Sequence, residues 1–276
     1  MGCKAVILAA GNGTRLSPIT PFVPKEMMPI SGFPAIHHVV YEMAELGVQE
    51  VMIVLSRSKD AIRRYFTESV SPKGVEACEL SLRRSRLLSR ISVTFAYQNK
   101  MRGTGDAILL AKEFAGEDDL FVAYPDDLIL LDGMSAGRNV YDLFVKKNSC
   151  SAILTREVPG KDASRFGVVM PCEMIAKDSR CVFVESIVEK PAVFGGERAC
   201  VMIGRMRLTR ACLEEIDRHP LRDSDGIIPA LNAVARQRRL IAVCCPFPVH
   251  DIGSHEGYAS AFINTYVSSR EPIKYE

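Results

Sequence analysis

The chain has 276 residues, 47% of them hydrophobic and 25% charged, with 35 Lys and Arg against 33 Asp and Glu. Apolar content at this level excludes disorder, and a chain this long buries roughly three quarters of its unfolded surface without disulfide or metal staples. A formal charge of +2 gives no basic field for nucleic acid, so any bound anion is held by locally placed groups and a small-molecule site is expected.

Residues 5–10 predict a first strand, too short for a signal sequence or a membrane span, which runs straight into a glycine loop. A helix over 34–46 closed by Gly47, a strand over 51–55 and a polar helix through Arg64 follow. The pattern repeats with a strand at 92–97, a helix at 107–114, a strand at 120–124, a helix at 141–147 and a strand at 152–155. Continuous apolar strands separated by helices predict an α/β fold with a Rossmann-like mixed, mainly parallel sheet covered on both faces. After about residue 160 short strand signals at 167–170, 181–188 and 201–203 come with turns between them, then helices near 210–218 and 227–238. This texture predicts a smaller added subdomain. A strand at 240–245, a loop over 247–254 and an amphipathic helix over 256–267 close the chain. The run 81–90, with Arg83, Arg84, Arg86 and Arg90, reads as a solvated helix face, because no aromatic platform interleaves its charges.

The nine cysteines are odd in number and scattered, and none forms a C-x-x-C pair. They read as core thiols of a protein kept in a reducing compartment, with the cytoplasm as the expected location. Met1-Gly2-Cys3 has the start of a myristoylation site, but Val6 stands where Ser or Thr is required.

The first predicted strand ends in Leu8-Ala-Ala-Gly-Asn-Gly-Thr-Arg15, at the carboxyl edge of a parallel sheet, where open α/β folds bind ligands. Gly11 and Gly13, beside Ala10, let backbone N–H groups approach a phosphate chain, and Thr14 adds a hydroxyl. The dinucleotide fingerprint is broken, since no third glycine follows, and the Gly-Lys-Ser/Thr of a P-loop is absent. Prolines at 18, 21, 24 and 29 forbid a regular helix and predict an extended, stiff loop carrying Lys25. Arg15 and Lys25 leave the same strand end, so both can close on one polyanion, Arg as a fork and Lys as a point charge. Asp126 and Asp127 follow the strand at 120–124, and Asp251 stands in the equivalent place after the strand at 240–245. Either acid of the adjacent pair, with Asp251, can offer carboxylates to Mg²⁺. Turn-forming acids are common there as well. His250 has no second histidine at ligand spacing and reads as structural.

Gly11-x-Gly-Thr-Arg15 with Pro18, then Pro24-Lys-Glu-Met27-x-Pro29, resembles the signature of bacterial UTP–glucose-1-phosphate uridylyltransferases, within the sugar-nucleotidyltransferase superfamily. The likeness continues through Gln98, Gly103-x-Gly105, Tyr124-Pro-Asp-Asp127, Phe166-Gly-Val-Val169, Val188-Glu-Lys-Pro191, Ile203-Gly-Arg205 and His250-Asp-Ile-Gly253. It implies attack by a glucose 1-phosphate oxygen on the α-phosphorus of UTP, with pyrophosphate leaving. It further implies Arg15 on the triphosphate, Lys25 on the reacting phosphates, and Gly11, Glu26, Gln98 and Gly103 around base and ribose. Asp126 is the metal-binding acid of the pair in this pattern, with Asp251 as its partner. Glu189 would accept from sugar hydroxyls, Lys190 would neutralise the 1-phosphate, and Gly167 and Gly204 would bring backbone against the sugar. One nucleotidyltransferase domain over 1–276 is implied, with a nucleotide-binding half (1–160) and a sugar-binding and C-terminal helical half (161–276), acting as a homo-oligomer.

The chain departs from this pattern at Asp225-Gly226, where a second acid is expected, at Asp106, commonly His or Ala and close to the base, and at Met206, frequently Tyr. These departures bear on sugar and base preference more than on reaction type. Alternatives are a thymidylyl-, cytidylyl- or adenylyltransferase, a catalytically silent sugar-nucleotide sensor, and, with its fingerprint broken, an NAD-binding dehydrogenase.

Overall fold

The structure is a computed structural model that describes residues 4–68, 79–100, 102–131, 134–135, 150–174, 181–219 and 226–268. β1 (Lys4–Ala9) is apolar on both sides because helices cover both. Ala5, Ile7 and Ala9 point into one core and Val6 into another. A short hairpin, β2 (Pro29–Ile30) and β3 (Phe33–Pro34), leads into α1 (Ala35–Glu45), which packs on the first of these cores. β4 (Glu50–Leu55), α2 (Asp60–Thr67), α3 (Glu79–Arg90) and β5 (Ser92–Tyr97) continue the alternation. In place of one helix over 107–114 there are two short ones, α4 (Gly103–Leu109) and α5 (Lys112–Ala115). Gly103 is therefore the first residue of a helix.

β6 (Leu120–Ala123) lies beside β1, followed by β7 (Asp127–Leu131) and β8 (Met134–Ser135). The second half contributes β9 (Ser151–Pro159), β10 (Gly167–Met174), β11 (Cys181–Glu189), β12 (Arg198–Leu208), α6 (Arg210–Arg218) and α7 (Ile228–Arg236). It closes with β13 (Leu240–Cys244), β14 (Val249–Asp251) and α8 (His255–Ser268). The helix expected over 141–147 lies outside the described residues.

Nine strands form one sheet in the order β10-β11-β13-β9-β12-β6-β1-β4-β5. Pairing is parallel from β6 through β1 and β4 to β5, and again between β13 and β9. β12 runs antiparallel to both β6 and β9, and β10 and β11 are antiparallel too. The expectation of a mainly parallel sheet thus holds only for the first half. The second half folds back through short connections, which antiparallel strands permit and parallel ones do not. β12 also exceeds the predicted 201–203 strand, because one end pairs with β9 and the other reaches β6. It is the seam between the halves.

Registry places Ala9, Leu55 and Tyr97 level at the carboxyl edge, so Ala10, Ser56 and Gln98 leave the sheet side by side. A smaller sheet, β14-β7-β8, stands at the same edge, and the expected 247–254 loop holds β14 within it.

Candidate active site

The two predicted metal acids are brought together by this small sheet. β7 starts at Asp127, directly after the turn containing Asp126, and β14 pairs antiparallel with it so that Asp251 lies opposite Asp127. The Ile252 N–H donates to the Asp126 carbonyl at 2.8 Å, which fixes the loop after β14 against the turn. Gly253 follows, and its N–H donates to Asp251 Oδ1 at 3.0 Å. A β-carbon on Gly253 would stand 2.9 Å from Asp251 Oδ1, 3.1 Å from Asp126 Oδ2 and 2.7 Å from Arg15 Nη2. Only glycine leaves this meeting point open.

The cations come from the loop after β1. Gly13 has φ 66° and ψ 31°, a left-handed conformation that turns the chain into a 3-10 turn over Thr14–Leu16. Arg15 Nη1 donates to Asp251 Oδ2 at 2.8 Å and Nη2 to Oδ1 at 3.4 Å, with Asp126 Oδ2 at 3.9 Å. The proline-rich stretch is not extended throughout, because Lys25–Met27 form a second 3-10 turn. From it Lys25 Nζ reaches Asp126 Oδ2 at 2.5 Å. Burial works against charge on Lys25, but Asp126 and Glu26 raise its pKa above the usual lysine value. Burial likewise opposes ionisation of Asp126, and Lys25 overrides it, holding that carboxyl below the usual range. Asp127 has no such ion-pair partner among the described residues. Burial, with Asp126 adding repulsion, pushes it up to about 6, and its Oδ2 accepts the Gly204 N–H at 2.6 Å.

These groups open onto a cleft of about 350 Å³, within the usual range for small-molecule sites. Along the same cleft β10 and β11 pair Gly167 with Glu189, and the Lys190 N–H donates to the Phe166 carbonyl at 3.0 Å. Lys190 takes φ 42° there, and its ammonium lies 3.3 Å from Glu189 Oε1. Of the expected site residues, Arg15, Gly103, Asp126, Gly167, Glu189, Lys190, Gly204 and Asp251 line the cleft. Gly204 does so with its N–H already given to Asp127.

Lys25 stands behind Asp126. Gln98 is buried, its amide nitrogen donating to the Gly103 carbonyl and to Asp106 Oδ2, both at 3.0 Å. In the loop, Ala10 is buried while Gly11 and Thr14 are exposed. Glu26 is the residue expected around base and ribose. It is fully buried and does not line the cleft, and Lys59 Nζ bonds both its oxygens at 2.8 and 2.9 Å. The pair anchors the turn that carries Lys25. His250 is buried with Nδ1 3.3 Å from Ser260 Oγ, and burial, with Arg156 nearby, keeps its pKa below the ordinary value.

The sequence assigns no place in the site to several contributors, although Met206 stands out as a departure and Arg205 falls in a matched motif. Met202, Met206, Ile227 and Ile228 line the cleft, but apolar side chains look the same in a core and in a pocket. Arg205 is buried, bonding both oxygens of Glu42 on α1 at 2.8 and 2.9 Å and the Tyr124 carbonyl at 2.9 Å. It ties α1 and β12 to the turn of Asp126. Asn232 on α7 accepts the Ile187 N–H at 2.7 Å and donates to the Ile187 carbonyl at 2.9 Å. That contact holds β11 two residues before Glu189.

The donor set fits a hard divalent ion. Asp126 Oδ2 and Asp251 Oδ1 converge on one point beside Gly253. No group of three or more His, Cys, Asp and Glu suited to a metal occurs among the described residues. An octahedral ion takes its other ligands from phosphate oxygens and water.

An α/β sheet with paired cations and carboxylates at its carboxyl edge belongs with proteins that bind phosphate esters there, and the nucleotidyl transferase family matches residues 4–266. The chain belongs to that family. It is similar to a putative UTP–glucose-1-phosphate uridylyltransferase of Bacillus subtilis, 35% identical over 68% of each chain. A second putative uridylyltransferase of that name, from Methanocaldococcus jannaschii, is 30% identical over 94% of this chain and 91% of its own. Among solved structures, a UDP-glucose pyrophosphorylase complexed with UDP-glucose superposes with a TM-score of 0.84 at 30% identity, covering 97% of this chain and 99% of that one. No helix among the described residues is long and apolar enough to cross a membrane.

Proposed function

We propose that this nucleotidyltransferase moves a uridylyl group from UTP to glucose 1-phosphate, giving UDP-glucose and pyrophosphate. The observation that carries the proposal is that one cleft is lined by Arg15, Asp126 and Asp251 and also by Glu189 and Lys190. A triphosphate and a sugar phosphate therefore meet between two sets of cations. Each pair of unit charges at 4 Å repels by about 4 kcal/mol at an effective dielectric near 20, so fixed positive groups carry most of the catalysis.

In this reading residues 1–160 hold UTP through Ala10, Gly11, Gly13 and Thr14, with Gln98 and Gly103 toward the base. Residues 161–276 hold the sugar phosphate through Gly167, Glu189, Lys190 and Gly204. Asp251 is the second half's contribution to the phosphate end. Asp126 and Asp251 would hold Mg²⁺, which when bound supplies Lewis-acid neutralisation of the phosphates. Arg15 and Lys25 exchange their carboxylate partners for phosphate oxygens as the nucleotide enters. Lys25, on its anchored turn, is aimed at the reacting phosphate. Glu189 orients the sugar by accepting from its hydroxyls, and Lys190 lowers the repulsion of the incoming 1-phosphate. Residence in the cytoplasm accords with the free thiols. Self-association as a homo-oligomer accords with Phe262 and Ile263, which stay exposed on α8.

The test is pyrophosphate release from purified protein with Mg²⁺, glucose 1-phosphate and each of UTP, dTTP, CTP and ATP in turn. Fastest release with UTP is expected. Release with none of them would leave a sugar-nucleotide sensor as the reading.

A further inference from the structure

Among the described residues three cations line the cleft, Arg15, Arg165 and Lys190. Two of them are already matched by acids, Arg15 by Asp251 at 2.8 Å and Lys190 by Glu189 at 3.3 Å. Arg165 pairs with no carboxylate and donates to no acceptor among the described residues. Its guanidinium lies instead over the Phe166 ring, 5.6 Å from the centroid. An aromatic face steadies a guanidinium without taking its N–H donors, so both the charge and the fork of Arg165 stay available. The position is fixed from below. Arg165 ends a 3-10 turn over Gly160–Arg165, whose Ala163 is buried in a small core with Val158, Val168, Ala199 and Val201. The Gly160 N–H donates to the Glu197 carbonyl at 2.8 Å, and a β-carbon on Gly160 would run into the Gly196 carbonyl oxygen. Phe166 comes next, and its carbonyl accepts the Lys190 N–H beside the Gly167 and Glu189 pair, so Arg165 and Lys190 stand at neighbouring strand ends.

We propose that Arg165 is a further substrate-binding residue, which grips the phosphate of the sugar 1-phosphate with the positive charge that no acid of the cleft cancels. The inference rests on the uridylyltransferase reading and gives it a residue just outside the matched Phe166-Gly-Val-Val169 segment. Asp126, Asp127, Glu189 and Asp251 line the same cleft, so a dianion entering beside them needs an uncommitted cation. A guanidinium fork matches two oxygens of a phosphate monoester, which leaves the third free to attack the α-phosphorus. Lys190, shared with Glu189, adds a point charge from the adjoining strand end. The triphosphate has its own cations in Arg15 and Lys25 from the loop after β1, whereas Arg165 and Lys190 belong to the half that holds the sugar phosphate in this scheme. After transfer that phosphate is joined through two oxygens and carries one negative charge fewer, so the grip loosens on the product.

Two variants test it. Arg165 is exposed, so neither should move the thermal midpoint. In pyrophosphate-release kinetics Arg165→Gln should raise KM for glucose 1-phosphate about ten- to thirtyfold, the scale of a charge-assisted hydrogen bond, and leave KM for UTP unchanged. Arg165→Lys restores the charge without the fork and should recover part of the loss. Added salt should raise KM for glucose 1-phosphate more steeply in the parent than in Arg165→Gln. Parent release with UTP checks the reading beneath the inference, and the split between the two KM values checks the inference itself. If the parent releases no pyrophosphate with any triphosphate, calorimetric binding of glucose 1-phosphate to the parent and to Arg165→Gln still decides. An unchanged KM or affinity for glucose 1-phosphate in Arg165→Gln, or an equal rise in both KM values, overturns the role given to Arg165.

Discussion

Lys25 makes its strongest contact with Asp126, and the turn beneath it is secured by Glu26 and Lys59. Replacing it with alanine should lower kcat by about 10²–10³, with circular dichroism showing the fold intact; a parental rate would remove Lys25 from the mechanism. Asp127 acts in the opposite sense. Its folded pKa of about 6 lies above the 3.8 of a free aspartate, so the folded state prefers it protonated. That stability is fully present below about pH 4 and is lost as pH rises through 6. Asp127→Asn keeps an acceptor for the Gly204 N–H and has no charge to bury. In metal-free urea titrations from pH 4 to 8 the parent should lose on the order of 2 kcal/mol relative to this variant; parallel curves would contradict that environment. The meeting of Arg15, Lys25, Asp126 and Asp251 at one sheet edge was legible in the sequence because glycines, prolines and strand ends mark them. The burial of Glu26 was not, because Lys59 lies 33 residues away and nothing local pairs them.

At the level of elements, the placing of Glu189 and Lys190 depends on a helix that lends the cleft the apolar Ile228. Asn232 on α7 grips both backbone groups of Ile187, and β11 then delivers Glu189 and Lys190. Asn232→Asp keeps the acceptor, loses the donor and sets a carboxylate against a carbonyl. The expected result is a rise in KM for glucose 1-phosphate of about three- to tenfold, with a smaller change in kcat and no change in KM for UTP. Equal shifts in both KM values would mean a general loosening instead. Element boundaries set by local chemistry were readable: β5 and α6 match their expected limits. Those set by distant pairing were not. β12 is long because β6 and β9 hold its two ends, and β14 exists because β7 is there to receive it.

For the whole molecule, the antiparallel seam at β12 makes one sheet of two sequence halves. Opening either half exposes an edge of the other, so the halves should not melt separately. Urea transitions followed by far-ultraviolet and near-ultraviolet circular dichroism should coincide, whereas a plateau between them would mean that 1–160 and 161–276 are independent units. The same seam explains why the site is composite. Arg205 leaves β12 to brace the turn after β6, and Asp251 arrives from the far end of the chain.

The site is electrically self-contained: Arg15 rests on Asp251 and Lys25 on Asp126. A nucleotide entering alone would draw the cations away and strand two anions, and a divalent ion entering alone would strand two cations. Each guest thus removes the obstacle to the other, and their affinities are coupled through these four side chains. Admission would therefore favour the chelated pair over either guest alone.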